Sequence, residues 1–96
     1  MANDMGYHVI IKRQAEKQLA SIEPKARQLI QNYIKETLEG SSNPVSLPSC
    51  KKLQGVDDGW RWRLGTCRIL GIVDDGTITI ELFRIGHRRD VYRRLG

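Results

Sequence analysis

After Lys52 the chain contains no lysine, although nearly half of it is still to come. Positive charge there comes from arginine alone: Arg61, Arg63, Arg68, Arg84, Arg88, Arg89, Arg93 and Arg94. Arginine is a planar fork that keeps its charge and holds phosphate through paired hydrogen bonds. Lysine is a point charge that can give up its proton. Long apolar runs are also lacking. No stretch approaches the roughly 20 apolar residues that span a bilayer. The N-terminus, MANDMGYHVII, has no basic region followed by a long apolar run, so no signal peptide is expected. The resulting expectation is a cytoplasmic protein with no membrane partner. Cysteine is scarce: Cys50 and Cys67 lie far apart and form no CxxC pair. In a reducing compartment they read as two free, partly buried thiols, with a disulfide as the alternative. His8 and His87 are too few and too scattered for a metal site. P-loop, GxGxxG and HExxH motifs are missing. The carboxylate pairs Asp57-Asp58 and Asp74-Asp75 sit in turn contexts that account for them. A two-metal nuclease is thereby disfavoured, and no metal or cofactor is expected.

What is present is a small basic domain. Ninety-six residues, 40% of them apolar, allow one domain spanning 1–96. The net charge of +5 is uneven: residues 1–50 hold six basic and five acidic side chains, and residues 51–96 hold ten and six. A basic half points to nucleic acid or an acidic protein partner, against the plainer alternative of a solvated surface.

The apolar pattern changes period along the chain. Tyr7–Ile11 reads as a first strand. Ala15, Leu19 and Ile22 then recur at helical spacing. Pro24 suits the first turn of a second helix, whose stripe is Ala26, Leu29, Ile30, Tyr33, Ile34 and Leu38, and Gly40 is a natural stop. Residues 40–50 read as a loop. Strands are expected at Trp60–Leu64, Cys67–Val73 and Thr77–Ile85, the last two joined by the hairpin signal Asp75-Gly76. Residues 87–95 suit one or two helical turns, with Val91 and Leu95 as anchors. The order β-α-α-β-β-β implies an α+β fold: an antiparallel sheet with a two-helix hairpin packed on one face.

Within that fold WRWRL is the most readable segment. Strand side chains alternate faces. Trp60, Trp62 and Leu64 therefore share the helix side, and Arg61 and Arg63 share the open side, either for an anion or simply for water. Arg68 shares its face with Leu70 and Ile72 and so calls for a specific partner, a phosphate or a cross-strand carboxylate such as Glu81. In helical geometry Arg88 and Tyr92 lie on one face. A phenol beside guanidinium groups favours its ionised form and could move protons; the alternative is a packing tyrosine. His87 is a secondary acid–base candidate, and also an ordinary hydrogen-bonding residue. Lys51, Lys52, Arg84, Arg89 and Arg93 extend the candidate RNA surface. The guanidinium groups and the phenol are expected to converge on one shared hollow.

YHVIIKRQAEKQLASIEPKARQLI, KKLQG, WRWRLGTCRILGIVDD and IELFRIGHRRDVYRR together resemble the RelE/ParE superfamily of toxin–antitoxin toxins, on the RelE side. The resemblance implies a compact fold like that of microbial ribonucleases, with two helices against a curved sheet. It implies cleavage of messenger RNA in the ribosomal A site without a metal, by attack of a ribose 2′-hydroxyl on the adjacent phosphate. The family's basic pair falls on Arg61 and Arg63, its next arginine on Arg68, its post-strand arginine on Arg88 and its tyrosine on Tyr92. Cys67 stands where many relatives carry tyrosine, and Arg61 and Arg63 are lysines in some relatives. The implied partners are the ribosome, its message and an acidic RelB-like antitoxin, with the toxin monomeric inside a hetero-oligomeric complex. A ParE-like inhibitor of DNA gyrase and an inactive binding module are the rival readings.

Overall fold

Two apolar periods in the chain become two layers. The computed structural model describes residues 6–93; Arg94 and Leu95 lie outside the described residues. Strand β1 (His8–Ile11) leads into helix α1 (Arg13–Ala20), whose Ala15 and Leu19 are buried. Helix α2 (Pro24–Tyr33) starts on Pro24, where the missing N–H removes no hydrogen bond. A single π turn, Ile34–Leu38, follows, with the Glu39 amide donating to the Ile34 carbonyl at 2.9 Å. That wider turn keeps both Ile34 and Leu38 in the core. Leu29 does not join the stripe expected of it and is 61% exposed. It sits about 100° around the helix from Ile30, and the buried side runs through Ala26, Ile30, Tyr33, Ile34 and Leu38.

The remaining strands are β2 (Cys50–Lys52), β3 (Gly59–Leu64), β4 (Cys67–Asp74) and β5 (Thr79–His87). The sheet order is β1-β5-β4-β3-β2. Hairpin neighbours pair antiparallel, but β1 pairs parallel with β5, so the sheet is mixed rather than wholly antiparallel. The parallel pair joins the two ends of the chain and has no turn to announce it. Strand β2, which falls in the stretch read as loop and its continuation, is only three residues long and is half-exposed or exposed throughout. The Asp75-Gly76 hairpin is also longer than expected. The Asp74 carboxylate accepts hydrogen bonds from the Gly76 and Thr77 amides (2.9 and 3.2 Å), and Ile78 takes the positive φ of 53°. Strand β5 therefore begins at Thr79.

The inner sheet face meets the helices through Trp62, Ile69, Val73, Ile80, Leu82 and Ile85. Trp62 is fully buried, and its indole N–H donates to the Pro44 carbonyl at 3.0 Å. The Gln18 side-chain oxygen accepts from the Ile85 amide at 2.9 Å, tying α1 to β5. Among the described residues no helix is long and apolar enough to cross a membrane.

One irregularity shapes the outer face. Leu70 pairs with Arg84 but Gly71 pairs with Leu82, which leaves Phe83 as an extra residue in β5. Such a bulge reverses the alternation beyond it. Gly71 lies at this point, and a Cβ there would stand 2.9 Å from Leu82 Cδ2 and 3.2 Å from Trp62 Cζ3. Gly71→Ala is expected to destabilise the fold by about 1–3 kcal/mol through overpacking, measured as a lowered urea midpoint with unchanged slope. A midpoint equal to wild type would show that the contact relaxes.

Candidate nucleic-acid interface

The strand register places the basic residues in two rows on the outer sheet face. The first row crosses four strands as Lys51, Arg61, Leu70 and Arg84. The second is Arg63, Arg68 and Gly86. Side chains directly opposite one another in a sheet stand about 5 Å apart at Cβ, so Arg63 faces Arg68, and Lys51 faces Arg61. Sequence alternation put Arg61 and Arg63 on this side, and the register adds their like-charged partners.

The guanidinium groups differ in what they hold. Among the described residues, the side chains of Arg61, Arg63, Arg88 and Arg89 make no hydrogen bond or ion pair. Arg68 Nη1 donates to the Gly65 and Cys67 carbonyls, both at 2.9 Å, and so braces the β3–β4 turn. Its suggested carboxylate partner, Glu81, lies 4.0 Å from Lys12 Nζ instead. Arg84 Nη1 donates to the Val91 carbonyl at 3.1 Å and to the Arg93 carbonyl. Arg93 pairs weakly with Asp90 at 3.7 Å, both side chains being exposed. Lys52 does not join the rows. It alternates to the other side, 5.3 Å from the Trp60 ring centre, with long hydrogen bonds of 3.4 Å to the Val56 and Gly59 carbonyls.

After β5 the chain turns back across the outer face. The Arg88 amide donates to the Thr66 carbonyl at 2.8 Å, fixing the start of the tail beside the β3–β4 turn. The Val91 amide donates to the His87 carbonyl at 3.0 Å, closing one helical turn. Val91 is buried against Leu53 and Leu70, with Val56 and Phe83 at the edge of this second small core. Tyr92 follows, 37% exposed, its hydroxyl without a hydrogen bond to another described residue. His87 lies on the opposite side of β5 from Arg84, beside Cys67, with Nδ1 4.0 Å from the sulfur.

The basic rows form an open face. Three cavities, of about 470, 340 and 340 Å³, lie against α1, between α1 and the tail, and beside α2. Arg61, Arg63, Arg68, Arg88 and Tyr92 line none of these three. Sequence reasoning set Arg84 on the RNA surface and did not foresee its bonds to the Val91 and Arg93 carbonyls, because nothing in β5 itself marks the bulge that turns it under the tail.

The ParE toxin family of type II toxin–antitoxin systems matches residues 9–92 through its sequence profile. The chain belongs to this family. Toxin RelG of Mycobacterium tuberculosis is 29% identical over 90 residues, covering 94% of this chain and all of that protein. Toxins in solved complexes share the fold. A toxin–antitoxin complex of M. tuberculosis matches with a TM-score of 0.72 at 24% identity, over 86% of this chain and 99% of the other. A RelB–RelE complex from Methanococcus jannaschii matches with a TM-score of 0.67 at 26% identity, over 91% of this chain and 99% of the other. The protein is thus a RelE/ParE-type toxin with two helices on a mixed five-stranded sheet.

Both cysteines of this toxin are free, Cys67 buried and Cys50 half-buried. Burial pushes the Cys50 thiol up to about 11 from an ordinary 9.0, partly offset by Arg61. The neutral thiol is therefore favoured in the folded state, and its contribution to stability is lost as pH rises from about 9 to about 11. Alkylation of Cys50, followed by peptide mass spectrometry, is expected to accelerate across that window. A rate already level below pH 9.0 would contradict the shift.

Proposed function

We propose that this toxin is a ribosome-dependent messenger-RNA endoribonuclease that acts in the cytoplasm and stops translation. The observation that carries the reading is the Arg63–Arg68 cross-strand pair, with Lys51–Arg61 alongside. Like charges placed directly opposite in a sheet destabilise it. A phosphate backbone lying across β2, β3 and β4 removes that repulsion.

In the proposed reaction the ribose 2′-oxygen forms a bond to the adjacent phosphorus. The bond from phosphorus to the 5′-oxygen breaks, leaving a 2′,3′-cyclic phosphate and a 5′-hydroxyl end. Arg61, Arg63, Arg68 and Arg88 hold the phosphate and stabilise the charge that builds on its oxygens. Tyr92, once it has given its own proton to solvent, takes the 2′ proton; its oxygen is engaged by no other described residue. A guanidinium does not release its proton. The proton for the leaving oxygen is therefore drawn from a ribosomal group, a requirement that fits ribosome dependence. Neither a metal nor a cofactor takes part.

An acidic antitoxin is the proposed physiological partner. The solved relatives above were crystallised as toxin–antitoxin complexes, and a net charge of +5 invites an acidic cover over the basic face. The toxin enters the assembly as a single 1–96 domain, monomeric inside a hetero-oligomeric complex. The family profile is itself described for ParE, and this favours a second reading in which the toxin binds DNA gyrase and cuts nothing.

Arg88→Ala is expected to lower cleavage of ribosome-bound message by about 10²–10³-fold, with the urea midpoint unchanged because the side chain is exposed. Tyr92→Phe is expected to do the same. New 5′-hydroxyl ends mapped by primer extension provide the readout. Wild-type protein that leaves no new ends but blocks gyrase supercoiling would establish the second reading.

A further inference from the structure

We infer that Arg84 is a positioning residue that aims the end of the tail, and with it Tyr92, at the message; this rests on the nuclease reading above. The bulge at Phe83 carries the first part. Ile80 and Leu82 face the helices, and so does Ile85. Without the extra residue, alternation from Leu82 would send Arg84 into the core and Ile85 outward. With it, Arg84 turns to the outer face opposite Leu70, directly under the returning chain.

What Arg84 then holds is backbone. Its Nη1 donates to the carbonyls of Val91 and Arg93, the residues on either side of Tyr92. The two bonds bracket the proposed base and fix the direction in which it leaves the chain. A planar fork suits this task better than an ammonium group, because its donors keep a fixed geometry. The Arg88 amide ties the start of the tail to Thr66, but beyond it the remaining backbone bonds of the described tail residues run within the tail itself. Among the described tail residues, Val91 alone enters the small core with Leu53 and Leu70. A cavity of about 340 Å³, reaching Gln18, Ser21 and Ile22 on the α1 side, opens along the other flank of the tail. The tail is therefore loosely packed from that direction, and the guanidinium sets the position of Val91–Arg93. Arg84 had been expected to bind RNA, and its engaged Nη1 gives it this different role.

Steady-state cleavage of ribosome-bound message by Arg84→Lys and Arg84→Gln tests the assignment, together with hydrogen exchange of the tail amides. In both variants kcat is expected to fall about 10²-fold, the loss typical of small misplacement of a reacting group, while KM stays within about twofold. Exchange at the Val91 and Arg93 amides, bonded to the His87 and Asp90 carbonyls, is expected to accelerate while Ile80 and Leu82 stay protected. A raised KM with unchanged kcat would make Arg84 an RNA ligand and overturn the inference. Full kcat in Arg84→Lys would also overturn it, since charge alone would then suffice. If wild-type protein cuts no message, the nuclease reading fails, and the exchange measurement still decides whether Arg84 clamps the tail. Unchanged tail exchange rejects the clamp.

Discussion

The structure turns on the one extra residue in β5. Its pairing partner β4 passes from Leu70 to Gly71 without interruption, while β5 passes from Arg84 to Leu82 with Phe83 between. Before that point the even-numbered residues Ile80 and Leu82 fill the core; beyond it Ile85 does. The same strand thus serves the helix side along its whole length and still delivers Arg84 to the opposite side. Gly71 permits this by leaving room for Leu82 and the Trp62 ring, each of which a Cβ would press. A bulge of this kind re-aims a side chain beside a functional surface.

The division of labour between the two sheet faces follows. The inner face is apolar, with Trp62, Ile69, Ile80 and Leu82 fully buried and Ile85 nearly so. The outer face is basic over β2, β3 and the start of β4, and among the described residues it is covered where Val91 meets Leu70 and Leu53, with Val56 and Phe83 at the edge. Repulsion between Arg63 and Arg68 works against folding, and the apolar contacts of the inner face offset it. Arg68 further reduces the conflict by turning Nη1 to the carbonyls of its own turn.

Much of this was legible in the sequence wherever one period dominates. WRWRL alternates without interruption, so its two faces could be read directly, and Trp62 and Arg63 lie where the alternation puts them. The helices followed from 3.6-residue spacing, Pro24 and Gly40. Long-range pairing was not legible. The parallel β1–β5 contact depends on strands from opposite ends of the chain. Strand β2 is too short to show a period. Local signals also lost to neighbouring chemistry. Asp75-Gly76 looked like a tight turn, but the Asp74 carboxylate organises a longer one. The bulge leaves no trace in β5, so Arg84 looked like one more surface arginine. Lys52 looked equivalent to Lys51, yet strand alternation sends it over Trp60.

RNA binding by the basic rows is the central claim, and salt dependence of affinity tests it most directly. A 2′-deoxy message on the ribosome lacks the attacking hydroxyl and stays intact during the measurement. Affinity for it is expected to fall with rising salt. The logarithmic slope is expected to shrink by about 0.7–1 in Arg61→Ala and by the same amount in Arg63→Ala, because each variant neutralises one phosphate fewer. Slopes identical to wild type in both variants would mean that no phosphate lies across these strands.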